Sequence, residues 1–202
     1  GGNYASFSGN TMFWQVRLTG GPANVDHMIG HKYSAHDTDP VVADGDPTQM
    51  TGMWADPLVG RPEWSTIGAG SAFGLYHRFG QATPRGSGGF SIVDPDHWMV
   101  AGTGLGYGDV VGRDDGVVGY ETVGCPVQFD DDHRLVARPV DALPTDVDIV
   151  GFCLSSNLAA GEYPASISAL DDQGDVEFIA SRLSGEITPD TIGKWKRGNA
   201  VM

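Results

Sequence analysis

Short apolar segments separated by turn residues recur through the middle of the chain. They are rich in Val, Ile, Phe or Trp and are bounded by Gly, Pro or Asp, a pattern that predicts β-strands. The predicted strands are residues 90–93, 98–101, 117–121, 125–129, 147–154 and 176–180. Near the C-terminus, Thr188-Pro189-Asp190 combines an N-cap, an N1 proline and an acidic first turn, which predicts a helix over residues 191–201. Strands together with a terminal helix predict an α/β or mixed layered domain.

The N-terminal region gives patterns of different kinds. Residues 3–8 alternate and predict a short strand, and Gly9-Asn10 predicts a tight turn after it. The apolar residues of 11–18 fit a helix or a strand equally well. A period-two pattern over residues 25–33 predicts a strand with one face formed by His27, Ile29, His31 and Tyr33.

Two segments are rich in turn residues. Residues 37–60 contain many Asp, Pro and Gly, which predicts a long surface excursion instead of a packed element. The sequence GTGLGYGD at 102–109 predicts a tight turn with exposed backbone. Its glycine spacing does not fit a dinucleotide-binding loop, because Tyr107 stands where the third glycine would be.

Composition limits the class of protein and its partners. The 202 residues include 12 Lys and Arg against 26 Asp and Glu, a formal net charge of -14, which disfavours unspecific binding to nucleic acid or to a membrane surface. No apolar run approaches the roughly 18 residues of a transmembrane helix, and the length favours a single domain over residues 1–202. Cys125 and Cys153 signal neither a disulfide framework nor a zinc knuckle, so we expect a reducing, cytoplasmic compartment.

Three donor side chains share the face of the period-two strand. His27 and His31 have the i, i+4 spacing of a zinc-protease helix, but Met28 stands where the catalytic Glu would be and Gly30 weakens a helix. On a strand, His31 and Tyr33 would project side by side, and phenolate with carboxylate and imidazole suits Fe(III) better than zinc. The alternative is an aromatic and histidine face packed beneath the excursion.

Ser8 and Glu121 are two further candidates. Ser8 lies between a predicted strand and Gly9, where an elbow would expose a nucleophilic hydroxyl, although Ser6 replaces the first glycine of the GxSxG motif. Glu121 ends an apolar strand, where a carboxylate needs an ion pair, hydrogen bonds or a cation. The alternative for Ser8 is a hydroxyl that is hydrogen-bonded within the turn. The alternative for Glu121 is an ion pair.

Five segments agree in order and spacing with one family of proteins. They are GGNYASFSGNTMFWQVRL, HKYSAHDTDPV, TGMWADPLVGRPE, PRGSGGFSIVDPDHWMVAGTGLGYGD and VVGYETVGC. Together they resemble the C-terminal domain of the large (beta) subunit of N,N-dimethylformamidase and its relatives. The resemblance implies a glutamine-amidotransferase-like α/β domain. Because the chain opens directly on a motif, we expect it to be the C-terminal portion of a larger subunit, in a hetero-oligomer with a small subunit and the missing N-terminal part.

The resemblance also implies a mononuclear Fe(III) site held by two tyrosines and one glutamate. Residue by residue, Glu121 in GYE matches the glutamate and Tyr33 in HKY matches one tyrosine, with His31 as the alternative at that position. The other family tyrosine lies upstream of this sequence, so the third ligand would come from outside it. The nucleophile position of the amidotransferase lineage falls at Ser8, and the formamidase group does not use it.

Metal-assisted hydrolysis of a small amide is the expected reaction, with the ferric ion polarising the carbonyl and activating water. A dimethylamide has no N–H to recognise, which predicts a small apolar pocket. The predicted pocket residues are Trp54, Phe73 and Trp98. His31, His97 and Asp109 are predicted either to support the metal ligands through hydrogen bonds or to shuttle protons.

Two other functions stay open from the sequence. In the first, the chain is a structural or interaction domain whose catalytic partner lies elsewhere. In the second, it is a serine amidase centred on Ser8. Metal analysis separates the first alternative from the ferric site, and a Ser8→Ala variant tests the second.

Overall fold

The computed structural model describes residues 4–7, 9, 11–21, 23–74, 89–115, 117–118, 122–156, 173–195 and 197–202. Its strands are β1 (Arg17–Thr19), β2 (His27–Ile29), β3 (Phe90–Ile92), β4 (Val110–Val111), β5 (Val127–Phe129), β6 (Leu135–Ala137), β7 (Gly151–Ser156) and β8 (Arg197–Val201). Its α-helices are α1 (Ala35–Thr38), α2 (Val41–Asp44), α3 (Trp64–Ile67), α4 (Gln173–Leu183) and α5 (Pro189–Trp195). Single turns of 3-10 helix cover Lys32–Ser34, Pro47–Gln49 and Ser71–Phe73.

The largest sheet has four strands in the order β4-β3-β7-β8. All pairings in it are antiparallel, with Ser91 opposite Phe152 and Cys153 opposite Ala200. β1 with β2, and β5 with β6, form two separate antiparallel hairpins. Helices and sheets together confirm the predicted α/β class in its mixed form, and the amidotransferase-like layering stays a prediction.

The main hydrophobic core joins the N-terminal and C-terminal parts of the chain. Its buried members are Phe13, Met53, Ala55, Trp64, Ala72, Val176, Ile179, Ala180 and Trp195. The three members from α4 have the i, i+3, i+4 spacing of one helix face. The predicted strand over residues 176–180 is therefore wrong, because burial of this face follows the period of a helix. Within the described residues, no helix is long and apolar enough to cross a membrane.

The C-terminal helix begins where the sequence predicts but ends earlier. Thr188 Oγ1 accepts a hydrogen bond from Thr191 N at 3.2 Å, which is the predicted N-cap. The helix ends at Trp195, and the following residues form β8 instead of continuing to residue 201. Pairing with β7 satisfies the backbone of β8, and Asn199 fixes the strand by exchanging two hydrogen bonds with the backbone of Cys125, at 2.9 and 2.8 Å.

The segment 37–60 is a surface excursion only in its first part: most of residues 37–49 are exposed, whereas most of residues 50–59 are buried. It contains short helical turns, and the side chains of Met50 and Met53 are fully buried. The polar residues that indicated a loop serve to fold it: Asp46 Oδ1 accepts from Thr48 N at 3.0 Å and caps a 3-10 turn. Composition alone did not distinguish such capping residues from those of a surface loop.

The period-two strand is shorter than predicted. β2 ends at Ile29, and the backbone turns at Lys32, which has a φ of 54°. This left-handed residue breaks the alternation, so His31 and Tyr33 do not share a strand face. Tyr33 lies instead in the 3-10 turn Lys32–Ser34.

The chain before β2 shows two further outcomes. The predicted strand over residues 3–8 is wrong for the described residues 4–7, which form no strand, and Phe7 is 98% exposed there. Asn3 and Ser8 lie outside the described residues. For residues 11–18, the strand interpretation holds in part, because Trp14 forms an isolated antiparallel bridge with Met53 and β1 begins at Arg17.

Three predicted strands are confirmed by β3, β5 and β7, although β7 begins later than predicted. The predicted strand over 98–101 is wrong: these residues form turns in which Val100 N donates to His97 O at 2.9 Å. The predicted strand over 117–121 is wrong at its first two residues, which belong to no strand, and its remainder, with Glu121, lies outside the described residues.

The glycine-rich segment 102–109 is the predicted turn. Gly102, Gly104 and Gly108 all adopt a positive φ between 80° and 84°, which other residues reach only at a cost. The side chains of Cys125 and Cys153 are both buried in the interior of the protein.

Candidate functional site

Tyr33 is held in place through the residues just before it. His31 N donates to Thr51 Oγ1 at 2.9 Å, and Lys32 N donates to Thr51 O at 2.9 Å. Thr51 is itself fully buried. The turn that carries Tyr33 is thereby fixed to the interior although the Tyr33 side chain is 47% exposed.

The ring of Tyr33 belongs to an aromatic cluster. It meets Trp14 and Phe178 edge-on, with ring centroids 4.8 Å apart in both pairs. Trp14 in turn meets Phe13 at 4.5 Å, and Phe13 is part of the main core. Edge-to-face rings at these distances attract one another beyond simple burial of area. We call Phe13, Trp14, Tyr33 and Phe178 the Tyr33 cluster; it offers a half-exposed phenol on an apolar base.

His36 and Asp56 form a second feature close to Tyr33 in sequence. His36 Nε2 lies 2.8 Å from Asp56 Oδ2, and the side chains are 28% and 2% exposed respectively. Asp56 Oδ1 accepts from Leu58 N at 2.9 Å, so both carboxylate oxygens have partners. A buried, oriented carboxylate beside a partly exposed imidazole is an arrangement suited to proton transfer or to metal binding.

A buried ion pair lies under the same turn. Asp39 Oδ2 accepts from Arg17 Nη1 at 2.7 Å and from both Thr51 N and Thr51 Oγ1 at 2.8 Å. Burial acts to raise the pKa of Asp39, but the hydrogen bonds from Arg17 and Thr51 outweigh it and hold that pKa well below its usual range. This charge is structural: it ties β1 to the segment that holds Tyr33.

Glu63 is a buried carboxyl group with incomplete hydrogen bonding. It is 1% exposed, and its Oε1 accepts from Ser71 N at 3.0 Å. Within the described part of the chain, Glu63 Oε2 and Ser71 Oγ are buried without a hydrogen-bond partner. Burial raises the pKa of Glu63 to about 7, against hydrogen bonds from its own backbone and from Ser71 that lower it.

The residues predicted to shuttle protons lie in two parts of the fold. His31 precedes the turn of Tyr33, and its Nδ1 lies 2.8 Å from Thr38 Oγ1. His97 and Asp109 flank β3, where His97 Nδ1 accepts from Met99 N at 3.3 Å and the Asp109 backbone oxygen accepts from β3 at 2.8 Å. His31 is thus fixed two residues before Tyr33, whereas His97 and Asp109 lie in the segment between β3 and β4.

The predicted pocket residues occupy three different environments. Trp54 packs on the small cluster around Met50, with the Arg61 guanidinium 4.9 Å above its ring. Phe73 is in the main core, between Trp64 and Trp195. Trp98 is 79% exposed on the turn after β3. Trp54 and Phe73 thus pack against different hydrophobic clusters, and Trp98 lies on an exposed turn.

Of the two predicted metal ligands, Tyr33 lies in the cluster described above and Glu121 lies outside the described residues. Its neighbour Thr122 is buried and donates from Oγ1 to the Gly74 carbonyl at 2.7 Å, next to Phe73 of the main core. Among the residues that the structure describes, no group of three or more His, Cys, Asp or Glu side chains is placed to share a metal ion.

Sequence reasoning missed both the His36–Asp56 pair and Glu63. The first pair is separated by 20 residues with no periodic relation, and its acid lies in a segment interpreted as a loop. One available signal was local: a helical turn starting at Tyr33 would place His36 one turn further along the same surface. For Glu63 the neighbouring Pro62 and Trp64 gave no indication of burial.

Comparison with known proteins identifies the family of the chain. No curated protein matches the chain, and neither does any solved structure. A family model described as N,N-dimethylformamidase beta subunit-like, C-terminal, matches residues 1–160 of the 202. This range contains every segment on which the resemblance rested. The chain therefore belongs to the N,N-dimethylformamidase beta subunit-like, C-terminal family.

Proposed function

We propose that this chain is the C-terminal domain of an amide hydrolase of the dimethylformamidase type, which cleaves the C–N bond of a small linear amide. The family match over residues 1–160 is the observation that carries the proposal. Because the family description refers to a beta subunit, we also propose that the chain works in an assembly with another subunit and with the rest of its own subunit.

The proposed cofactor is a mononuclear Fe(III) ion held by Tyr33 and Glu121, with a third protein ligand from outside this chain. The donor chemistry fits, since phenolate and carboxylate are hard oxygen ligands. The pairing of these two residues rests on the family resemblance, and Tyr33 itself packs on Trp14 beside the main core. When bound, such an ion polarises a carbonyl and lowers the pKa of coordinated water.

The chain's own residues would shape the substrate site. The rings of Trp14 and Phe178 beside Tyr33 present apolar surface, which suits the N-alkyl groups of a tertiary amide. The Asp39–Arg17 pair and Thr51 hold the turn of Tyr33 still, so that its phenol is oriented before substrate binds. His31, His97 and Asp109 stay predictions as proton carriers.

A Tyr33→Phe variant of the assembled protein tests this proposal. We expect loss of tightly bound iron and of formamide hydrolysis, because Phe keeps the ring contacts but removes the phenolate oxygen. Tyr107→Phe is the matched control, since Tyr107 is 61% exposed on the glycine-rich turn. Bound iron is measured by elemental analysis and turnover by release of amine. Unchanged iron and turnover in Tyr33→Phe would contradict the proposed ligand.

A second candidate function is that of an interaction domain. Leu18 and Met28 face each other across the β1–β2 hairpin and are 58% and 71% exposed. Exposed apolar pairs of this kind suit contact with another protein surface. If this function holds alone, Leu18→Asp weakens assembly with the partner subunit, while the wild-type assembly contains no iron and hydrolyses no amide.

A further inference from the structure

We infer that His36, oriented by Asp56, is the general base of the hydrolysis, a role that rests on the proposed function. The inference selects His36 over the three residues predicted from the sequence. It depends on three features: the rigidity of the segment that holds Asp56, the nitrogen of the His36 ring that stays available for a proton, and the position of His36 relative to Tyr33.

The backbone of Asp56 is fixed by three hydrogen bonds. Its backbone N donates to Met53 O at 3.0 Å, and its backbone O accepts from Val59 N at 2.9 Å and Gly60 N at 2.8 Å. The Leu58 N–H fixes one carboxylate oxygen, which leaves the other for His36. This carboxylate is 2% exposed, and each of its two oxygens has a hydrogen-bond partner. It therefore has little freedom to move away from the imidazole.

The pair also fixes the protonation pattern of the ring. An ionised carboxylate only accepts hydrogen bonds, so Nε2 of His36 carries the proton that it donates to Asp56. In the neutral ring, Nδ1 then holds the lone pair. Within the described residues, Nδ1 has no hydrogen-bond partner, and the side chain is 28% exposed. His36 therefore presents a basic nitrogen away from Asp56.

The position of His36 relates it to Tyr33. The 3-10 turn Lys32–Ser34 runs directly into α1, so the two residues are three apart on a continuous helical segment. Residues at this spacing are neighbours on a helix surface, with about 5–6 Å between Cβ atoms. Ala35, between them, is buried on the cluster of Met50 and Val59 and anchors the segment. His97 and Asp109 lack this relation because they flank β3.

In the step that we infer, Nδ1 of His36 accepts a proton from water as the water oxygen bonds to the amide carbonyl carbon. The tetrahedral adduct then collapses: the C–N bond breaks, and the imidazolium returns the proton to the departing nitrogen. Water and amide give carboxylic acid and amine, and His36 is restored. Asp56 is a positioning residue, since it holds the tautomer and stabilises the imidazolium without accepting the proton.

Two variants of the full assembly test the role of the pair. We expect His36→Gln to lower kcat for formamide hydrolysis about 100-fold or more while bound iron is unchanged, as removal of a general base typically does. Asp56→Asn should give a comparable loss, because the Asn side-chain amide can donate a hydrogen bond to Nε2 of His36. The ring proton then lies on Nδ1, which can no longer accept a proton from water. His133→Gln, at an exposed position of the turn between β5 and β6, is the control and should stay within twofold of wild type. Nitrogen NMR of the His36 ring should show protonated Nε2 in wild type and protonated Nδ1 in Asp56→Asn.

Four results would overturn the inference. Turnover within twofold of wild type in His36→Gln removes the base role. Loss of iron in that variant makes His36 a ligand instead. A wild-type ring protonated at Nδ1 removes the orienting role of Asp56. A wild-type assembly that hydrolyses no amide contradicts the proposed function, and with it this step, whereas an active wild type with an active His36→Gln contradicts only the inference.

Discussion

Replacement of Glu63 by Gln should change how the stability of the protein depends on pH. The carboxyl group is 1% exposed, and within the described residues Oε2 has no hydrogen-bond partner. The charged form is therefore poorly solvated in the folded protein, and burial raises the pKa to about 7 from 4.5. Gln has nearly the same shape and is neutral at every pH, so it removes the titration and keeps the volume.

The magnitude follows from linkage between protonation and folding. Below pH 4.5 both the folded and the unfolded protein carry a neutral Glu63, so ionisation costs nothing. Between pH 4.5 and 7 the unfolded chain ionises and the folded protein does not, so the free energy of unfolding falls as the pH rises. At about 1.4 kcal/mol for each unit of pKa, the loss reaches about 3 kcal/mol and levels off above pH 7.

Urea denaturation followed by tryptophan fluorescence measures this loss. Wild type and Glu63→Gln are compared at intervals from pH 4.5 to pH 8.5, and the difference between their free energies of unfolding isolates Glu63. We expect Glu63→Gln to gain about 3 kcal/mol over wild type across this range. Glu186→Gln is the control, because Glu186 is exposed and its substitution should change the free energy of unfolding by less than about 0.5 kcal/mol.

A difference between Glu63→Gln and wild type that changes by less than about 0.5 kcal/mol over this range would refute the reasoning. It would mean that the carboxylate of Glu63 is solvated or paired in the folded protein.

Two further predictions concern the residues that support the site. Asp39→Asn should cost about 3 kcal/mol at pH 7, because it leaves the Arg17 guanidinium without its buried partner. The cost should begin to shrink as the pH falls below 3.8, since the stabilisation that comes with the lowered pKa of Asp39 is complete above that value and is lost progressively towards the lowered pKa. Chemical denaturation at pH 7 and pH 3 tests both statements, and a pH-independent cost would contradict the assignment. Ile179→Ala should destabilise the protein by about 2–4 kcal/mol, because it leaves a cavity in the main core. The same substitution on an exposed strand would change the stability of the protein very little. A change in melting temperature within one degree would argue against the packing of α4.

The sequence predicted elements best where local chemistry alone determines them. The cap at Thr188, the turn at 102–109 and the strands that became β3 and β5 depend on residues within a few positions. Predictions failed where distant contacts decide the structure. Residues 197–201 form a strand because β7 lies beside them, and α4 forms where its apolar face meets Phe13 and Trp64.

The candidate site was predictable only in part for the same reason. Tyr33 was singled out, but as part of a strand face, because nothing local marks the left-handed backbone at Lys32. The His36–Asp56 and Glu63–Ser71 contacts join residues that are distant or unremarkable in sequence, and burial gives them their chemistry. The five matching segments, in contrast, led to the family directly, since their order and spacing do not depend on knowing the fold.

The central claim, a ferric amide hydrolase, is tested most directly by measuring bound iron and formamide turnover together in the assembled protein, for wild type and Glu121→Gln. Glu186→Gln serves as the matched control. We predict near-stoichiometric iron, a visible tyrosinate-to-iron absorption band and amine release in wild type and control, and loss of all three in Glu121→Gln. An assembly that is colourless and free of iron, or a Glu121→Gln variant with full iron and full turnover, would contradict the account.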